Sequence, residues 1–489
     1  MSCNGSQVKN MDNRVSVDGY GSMWSLSLAS RSLRVIALAA ALALTACGGG
    51  SGGGDDDGGN PPPPDTGEIA ATVVDQFDAP INGVTITAGS RTATTGSAGT
   101  ATVTQVPTGS VSVTASADGL ADPPAQTVTV TEGETANVAF TMQRVTEGTG
   151  GISGAGQEGG TSGGSSFTFR VRVYVIDQDF NPVPGLTASA FTLADCTPVS
   201  ESPEHPDCVR HSNPAGDAPY TVANATPADF QLVDPPGPVP YAAGLLFDSS
   251  ESIGESDPTD ARIFATKEFL NDVGSGNVVM LAAFADGADS LLPEPPLTYF
   301  PCQPCTPEFF DNGNSLFASL DALATLDGGG TPLYDSLEEM VGTADTAPAN
   351  LRHTAVLFSD GKDIYCAEPP GSFQFCTDRR GDVVTLADQL DVDIFTIGLS
   401  NEVDSLAMAE LALRNGGAFM FAERPTQLIS IFGVLDLLLS DSLPSYEMVW
   451  TVNAAPNTFI VGRAMIGRVT VDTGAGTFSL PLAVQIEQP

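Results

Sequence analysis

The chain has 489 residues and a formal net charge of −40, from 59 Asp and Glu against 19 Lys and Arg. Such an acidic surface repels phosphate backbones and anionic lipid headgroups, which argues against nucleic acid as a partner. Hydrophobic residues make up 42% of the chain and charged residues 16%, so the sequence predicts several folded domains and not an acidic disordered polymer.

Residues 1–47 carry the pattern of an export signal. Two arginines precede an apolar run over 35–46, which is too short to cross a bilayer as a helix but has the length of a signal-peptide core. The run ends in Leu-Thr-Ala-Cys at Cys47, and this ending resembles the lipobox of bacterial lipoproteins. The alternative is an ordinary cleavage site followed by a chance cysteine.

The lipobox resemblance implies that Cys47 is lipidated and that the chain contacts a membrane through this lipid anchor. Gly48 follows the cysteine where an aspartate would signal inner-membrane retention. This resembles sorting to the outer membrane of a Gram-negative cell, with the protein facing the periplasm or the cell surface.

Residues 48–67 are rich in Gly, Asp and Pro and predict a flexible tether of roughly 25 Å. Residues 68–143 predict an all-β module, because apolar and polar residues alternate between Pro and Gly joints. The segments 73–84, 97–101 and 106–109 resemble the turns of the carboxypeptidase regulatory-like β-sandwich family. This resemblance implies a spacer or binding module without catalysis.

A second Gly- and Ser-rich stretch, 144–166, is predicted to be a linker. Segment 167–240 is β-rich and begins with an alternating, half-buried strand. The pattern Val-x-Asp-Gln-x-x-x-Pro-x-x-Gly occurs from residue 73 and again from residue 175, which indicates either duplicated sandwiches or two similar turns. The C-terminal segment 441–489 is again β-rich, and we expect it to pack with 167–240 as two parts of one β-sandwich.

Between these two segments, residues 241–440 alternate apolar strands with amphipathic helices. The predicted strands are 242–247, 278–284, 354–358, 393–399 and 418–421, and the predicted helices are 259–273, 333–341, 382–390, 405–415 and 426–439. This alternation predicts a doubly wound, mainly parallel sheet. The expected fold class is therefore multidomain, α/β plus all-β, with β-sandwich segments flanking the parallel sheet.

Five oxygen-bearing side chains occur at strand ends and loop-to-helix turns of this α/β region. They are Asp248, Ser250 and Ser252 after the first predicted strand, Thr331 after three glycines, and Asp360 at the end of another strand. Open α/β sheets place ligands at the carboxyl ends of their strands, so we expect these five to converge. All-oxygen ligation favours Mg²⁺, Mn²⁺ or Ca²⁺ over zinc. Neutral hydroxyl ligands leave such an ion able to accept a carboxylate from a partner.

Three short motifs occur in this order: Asp-x-Ser-x-Ser at 248–252, Thr-Pro-Leu-Tyr at 331–334 and Ser-Asp-Gly at 359–361. Together they resemble the von Willebrand factor type A (vWA) family, a Rossmann-like fold with a metal-ion-dependent adhesion site. The resemblance covers about 241–440. It implies Ser250 and Ser252 as direct ligands, Asp248 and Asp360 acting largely through water, and Thr331 contacting the ion in the ligand-bound state. Glu251 departs from the small residue common at its place.

Six cysteines remain after Cys3 and Cys47 are set aside. By proximity they form the pairs Cys196 with Cys208, Cys302 with Cys305, and Cys366 with Cys376. Disulfides are expected because an exported chain enters an oxidising compartment, although other pairings are open. The Cys-x-x-Cys spacing at 302–305 also matches redox and zinc motifs, but its Pro-rich loop favours a disulfide.

Signatures of catalysis are weak. Two Gly-x-Ser-x-Gly matches lie in the predicted tether and linker and not in a strand–turn–helix elbow. We therefore expect no enzyme and no small-molecule substrate. The sequence favours a lipid-anchored envelope protein that binds a protein ligand presenting an Asp or Glu through a divalent metal. The alternative is a structural scaffold or assembly subunit of an envelope complex, with a structural ion.

Overall fold

The computed structural model describes residues 65–75, 80–160, 164–195, 220–302, 305–361, 363, 372–400, 403–461 and 464–487. The predicted signal peptide with Cys47, and the tether up to residue 64, lie outside the described residues. So do Cys196, Cys208, Cys366 and the side chain of Cys376. In the described part of the chain, no helix combines the length and the apolar character that crossing a bilayer requires.

The N-terminal module is built from nine short strands, which are β1 (Thr66–Val74), β2 (Thr85–Ala88), β3 (Arg91–Thr94), β4 (Thr100–Pro107), β5 (Gly109–Ser116), β6 (Leu120–Ala121), β7 (Gln126–Val130), β8 (Thr135–Thr141) and β9 (Gln143–Arg144). Its two larger sheets have the orders β4-β1-β8 and β3-β2-β5-β7. In β1, Ile69, Ala71 and Val73 are buried while Glu68 and Thr72 are exposed. This period of two places one face of each strand in a shared apolar core.

The remaining strands are β10 (Thr149–Gly160), β11 (Ser166–Ile176), β12 (Phe191–Asp195), β13 (Tyr220–Val222), β14 (Ala228–Val233), β15 (Tyr241–Asp248), β16 (Val278–Phe284), β17 (Leu297–Phe300), β18 (Arg352–Ser359), β19 (Val392–Leu399), β20 (Ala418–Ala422), β21 (Ser445–Ala454), β22 (Ala464–Asp472) and β23 (Thr477–Gln485). Most belong to one 11-stranded sheet, ordered β13-β21-β11-β10-β20-β19-β18-β15-β16-β17, with β14 also paired to β21. Strands β16, β15, β18, β19 and β20 are mutually parallel, as predicted for a doubly wound sheet.

The helices are α1 (Ile253–Ser256), α2 (Ala261–Asp272), α3 (Phe317–Leu323), α4 (Leu333–Ala344), α5 (Ser372–Leu390), α6 (Ser405–Arg414), α7 (Pro425–Gly433) and α8 (Leu435–Leu439). They cover both faces of the parallel strands. Leu246 of β15 belongs to one apolar cluster with α4, α5 and α6, and its neighbours Leu245 and Phe247 belong to another with α2, α7 and α8. Burial on both faces explains why these strands are apolar without alternation.

Two helix predictions need correction. Helix α5 begins at Ser372 and not at 382, and it continues through Gly381. The helix predicted over 426–439 is divided into α7 and α8 after Gly433. A Cβ atom at Gly433 would lie 2.8 Å from the ring of Phe180, so close packing requires a glycine at this break.

The linker predicted over 144–166 is wrong for residues 149–160, which form β10 in the centre of the large sheet. This strand pairs antiparallel with β11 on one side and with β20 on the other. A Cβ atom at Gly150 would lie 2.4 Å from the backbone oxygen of Tyr174 and 2.6 Å from the Phe478 ring, and one at Gly151 would lie 3.0 Å from Met420. The glycines here permit close packing and do not provide flexibility.

The C-terminal segment packs with 167–240, as expected, but the two do not form a sandwich of their own. Strand β21 pairs with β11, β13 and β14, and β12-β22-β23 form a smaller sheet. Because β10 joins β11 to β20, these strands continue the sheet of the α/β region. Segments 167–240, 241–440 and 441–489 therefore share one sheet and one apolar cluster.

The two copies of the Val-x-Asp-Gln pattern begin at the ends of β1 and β11, and the flanking backbone forms an equivalent hydrogen bond in each. The Ile81 amide donates to the Val73 carbonyl at 3.2 Å, and the Val183 amide donates to the Val175 carbonyl at 2.9 Å. One copy lies in the small module and the other at the large sheet.

Arg144, at the end of the N-terminal module, contacts helix α2 and the loop before it. Its guanidinium lies 4.8 Å from the centre of the Phe264 ring, and its Nη1 donates to the Thr259 carbonyl at 3.2 Å. The Nε is 3.6 Å from the buried carboxylate of Asp75. A Cβ atom at Gly83 would lie 2.5 Å from the Pro258 carbonyl, so the module packs directly against this loop.

Gly150→Ala tests whether β10 is a packed strand. We expect a loss of about 1–3 kcal/mol in the free energy of unfolding, because the added methyl meets backbone and an aromatic ring. Urea denaturation measures this loss. Gly156→Ala is the control, because that glycine faces open space in the same strand, and it should change stability by less than about 0.5 kcal/mol. Equal stability of the two variants would contradict the packing described.

Candidate metal centre

The site lies at the carboxyl edge of the parallel strands. Strands β15 and β18 run side by side with Phe247 opposite Phe358, so Asp248 and Ser359 leave the sheet together. The loop that follows β15 also contacts the end of the neighbouring strand β16, because the Ser249 amide donates to the Phe284 carbonyl at 3.0 Å. The topology thus brings distant parts of the sequence to one edge.

Asp248 is fully buried and is held from two sides. Its Oδ1 accepts a hydrogen bond from the Ser250 amide at 2.9 Å, which shapes the first loop. Its Oδ2 accepts one from the Ser359 hydroxyl at 2.6 Å. Burial and the nearby charge of Asp360 raise the pKa of the Asp248 carboxyl. The carboxylate is therefore oriented but lacks a positive partner of its own in these contacts.

The serine hydroxyls lie between the two carboxyl groups. Ser250 Oγ is 3.2 Å from Ser252 Oγ, and Ser252 Oγ donates to Asp360 Oδ1 at 2.9 Å. The Ser256 hydroxyl donates to the other oxygen of Asp360. Burial raises the pKa of Asp360, and the two serine hydrogen bonds oppose that rise.

Thr331 reaches the same place from the glycine-rich loop. A Cβ atom built on Gly361 would lie 3.4 Å from Thr331 Oγ1 and 3.9 Å from Ser252 Oγ, so these hydroxyls converge over a residue without a side chain. Thr331 and Asp360 are buried. All five side chains singled out in the sequence are thereby brought together.

The spacing of these oxygens suits a small octahedral cation. Metal–oxygen bonds of 2.0–2.1 Å at right angles separate neighbouring ligand atoms by about 3 Å. The Ser250–Ser252 and Ser252–Asp360 separations of 3.2 Å and 2.9 Å are hydrogen-bond distances, and they keep these oxygens close enough to surround one small ion. Among the described residues, no group of three His, Cys, Asp or Glu side chains is placed to hold a metal. Any ion here must use hydroxyl oxygens, a donor set that suits Mg²⁺ better than zinc.

A second set of contacts supports the loops and was not identified from the sequence. Ser249 Oγ donates to the Leu326 carbonyl at 3.1 Å and lies 3.2 Å from Asp327 Oδ1. The fully buried Arg262 donates from Nη2 to both oxygens of Asp327, each at 2.8 Å. Asp327 directly precedes the three glycines, and Ser256 lies one helical turn after Ser252. In the sequence, only their positions beside the motif residues indicated that Asp327 and Ser256 support the site.

Of the six cysteines predicted to form disulfides, Cys302 and Cys305 are the two whose side chains the structure describes. They lie next to each other, with Cα atoms 3.9 Å apart. They belong to the loop after β17, the edge strand on the far side of β16.

A family model described as carboxypeptidase regulatory-like domain matches residues 68–143, which confirms the resemblance predicted for this segment. Search of the curated proteins finds no match.

Several solved structures are similar to this chain. A von Willebrand factor type A protein from Catenulispora acidiphila has 12% identity and a TM-score of 0.34, with 70% of this chain and 74% of that chain covered. The pilus adhesin SpaC from Lactobacillus rhamnosus GG has 10% identity, a TM-score of 0.32, and 68% and 48% coverage. Proximal thread matrix protein 1 from the mussel byssus, with a zinc-occupied MIDAS motif, has 14% identity, a TM-score of 0.30, and 45% and 50% coverage. The chain thus spans about half the length of the latter two proteins.

Ser359→Ala tests the hydrogen bond that orients Asp248. Removal of the hydroxyl leaves a buried carboxyl oxygen without this donor, so we expect a loss of about 1–3 kcal/mol in the free energy of unfolding. Urea denaturation in the presence of a chelator measures it. Ser189→Ala removes an exposed hydroxyl and should change stability by less than about 0.5 kcal/mol. A Ser359→Ala variant as stable as the Ser189→Ala control would show that this bond is unimportant.

Proposed function

We propose that the hydroxyl and carboxyl cluster holds a divalent cation, Mg²⁺ first and Mn²⁺ or Ca²⁺ as substitutes, and that the chain binds protein partners there. The convergence of Ser250, Ser252, Thr331 and the two aspartates at one sheet edge carries this proposal. The hydroxyls of Ser250 and Ser252 serve as neutral direct ligands. Asp248 and Asp360 supply negative charge that offsets part of the charge of the ion.

The expected ligand is an Asp or Glu side chain on a partner protein. A bound divalent cation supplies the positive charge that attracts this carboxylate. The two aspartates of the site offset only part of the charge of a divalent ion, because they also accept hydrogen bonds from serine hydroxyls. The surface of the chain is otherwise acidic, with a net charge of −40, so binding of an acidic group should depend strictly on the metal.

This function is one of binding and not of catalysis. We assign the serine hydroxyls and the aspartates that hydrogen-bond one another to the ion, and we propose no catalytic role for them. We propose no small-molecule substrate and no nucleic-acid partner. The carboxypeptidase regulatory-like module, which packs on the loop before α2, serves as a spacer and support.

The proposed location is the envelope of a Gram-negative cell, with Cys47 as the lipidated anchor at the outer membrane, facing the periplasm or the surface. The signal-like segment 1–47 and the tether that follows support this location. Disulfides between Cys196 and Cys208, Cys302 and Cys305, and Cys366 and Cys376 fit an exported chain.

A structural role for the ion, in a scaffold or assembly subunit, is the second candidate. The burial of Asp248, Ser250 and Asp360, at most 2% exposed, favours it. The two functions differ in whether a partner's carboxylate reaches the ion, and binding experiments separate them.

Metal titration tests the site itself. We expect Mg²⁺ at about 100 times its dissociation constant to stabilise the protein by about 2.7 kcal/mol, and a chelator to remove this gain. Asp248→Ala and Ser250→Ala should abolish the gain and the calorimetric binding signal. Ser479→Ala is the matched control, because it removes one hydroxyl of a similar pair, with Thr470 at 3.0 Å, away from the site. Metal binding by the Asp248→Ala variant at parental strength would refute the proposal.

Peptide binding tests the ligand. On an array of short peptides that differ only in a central Asp, Glu, Asn or Gln, we expect Mg²⁺-dependent binding to the acidic members alone. Glu251 is exposed between the two serines, so Glu251→Gln should strengthen this binding about two- to fivefold by removing a like charge. Equal binding to the amide peptides would contradict carboxylate recognition. Metal binding with no peptide binding would favour the structural ion.

A further inference from the structure

We propose that Arg262 is a positioning residue for the cation site: its guanidinium fixes the loop of Ser249 to Ser252 against the loop of Asp327 to Thr331. This inference rests on the proposed cation site and concerns how that site is held in shape. Arg262 lies in the first turn of α2 and contacts none of the five proposed ligands in the hydrogen bonds described.

Arg262 is fully buried and surrounded by carboxylates. Its Nη1 lies 3.2 Å from Asp257 Oδ2 and 3.4 Å from Asp260 Oδ1. Its Nη2 donates to both oxygens of Asp327 at 2.8 Å. The Asp257 carboxylate also accepts the amides of Ala261 and Arg262, at 2.8 Å and 2.9 Å. The start of α2 is therefore rigidly joined to Asp327.

Asp327 passes this constraint to both loops. Its Oδ1 lies 3.2 Å from the Ser249 hydroxyl in the first loop. The Gly328 amide donates to the Ser249 carbonyl at 2.8 Å, and the Glu251 amide donates to the Gly329 carbonyl at 3.1 Å. These contacts lie within a few residues of Ser250, Ser252 and Thr331. A displacement of Asp327 would separate the serine ligands from the threonine.

The geometry favours arginine specifically. Three glycines follow Asp327, so this loop has little side-chain packing of its own to keep its position. The guanidinium contacts Asp327 through Nη2 and reaches Asp257 and Asp260 through Nη1, whereas a lysine side chain has only one nitrogen for all three carboxylates. The Ser249 hydroxyl supplies the remaining link. The arginine thus serves both loops at once.

A purely structural ion pair is the competing explanation, and it predicts a different result. Loss of a structural pair lowers stability equally with and without metal. Loss of a positioning residue lowers the affinity for metal, because outer contacts that orient ligands typically contribute about 10- to 100-fold to metal binding. The two explanations are separated by measuring affinity and stability in the same variants.

The experiment uses the full chain with Arg262→Lys, Arg262→Met and Ser249→Ala. Calorimetry gives the dissociation constants for Mg²⁺ and Mn²⁺, unfolding temperatures are recorded with metal and with chelator, and electron paramagnetic resonance reports the symmetry of bound Mn²⁺. We expect affinity to fall about 10-fold for Arg262→Lys and up to about 100-fold for Arg262→Met. The Mn²⁺ spectrum should broaden in both. Ser249→Ala keeps the arginine and its three carboxylates, so it tests the link to the first loop even if Arg262→Met does not fold.

Arg352→Met is the matched control. Arg352 pairs with Asp393 and donates to the Leu439 carbonyl at 3.2 Å, at the amino end of β18 and thus at the opposite edge of the sheet. It should lower the unfolding temperature without changing metal affinity. Parental affinity and spectrum in Arg262→Lys and Ser249→Ala would overturn this inference while leaving the cation site intact. A parental chain that binds no ion would overturn the proposed function, and the inference with it.

Discussion

The contact between the ends of β15 and β18 is the constraint on which the site depends. The parallel register places Phe247 opposite Phe358, and the residues that follow them, Asp248 and Ser359, then share a hydrogen bond of 2.6 Å. Apolar burial on both faces holds the two strands in the core, and their parallel ladder runs in one register from Tyr241 opposite Arg352 to Phe247 opposite Phe358. The stability of the core therefore positions polar groups that could not hold themselves together.

Two supports act on this arrangement from outside the sheet. Arg262 joins α2 to the glycine-rich loop through Asp327, and Arg144 joins the N-terminal module to the loop before α2 through Phe264 and Thr259. Both arginines are buried among acidic groups, where a positive charge is needed in a chain with so few. The N-terminal module therefore contacts α2, the same helix whose Arg262 contacts the glycine-rich loop.

Much of this could be predicted from sequence, and the failures have a common cause. The parallel strands were found because burial on both faces leaves an apolar run. Four of the five site residues were found because they lie at the ends of two such runs, and Thr331 because it follows the three glycines. The glycine-rich β10 was missed because glycines needed for contact with Tyr174, Met420 and Phe478 have the same composition as a linker. The break at Gly433 and the contacts of Asp327 and Arg262 were also missed. All of these features depend on contacts between residues that are distant in sequence. Composition and the spacing of apolar residues carry no information about such contacts.

The use of hydroxyls in place of carboxylates gives the site its chemical character. A cluster of four or five carboxylates would hold a cation firmly and leave no charge for a ligand, whereas two carboxylates that already accept hydrogen bonds from Ser252, Ser256 and Ser359 hold it with less negative charge. Under the proposed function, that difference would decide which partners can approach an acidic chain. A bound cation would offset the general repulsion of an acidic group, and the five side chains confine the proposed site to one edge of one sheet.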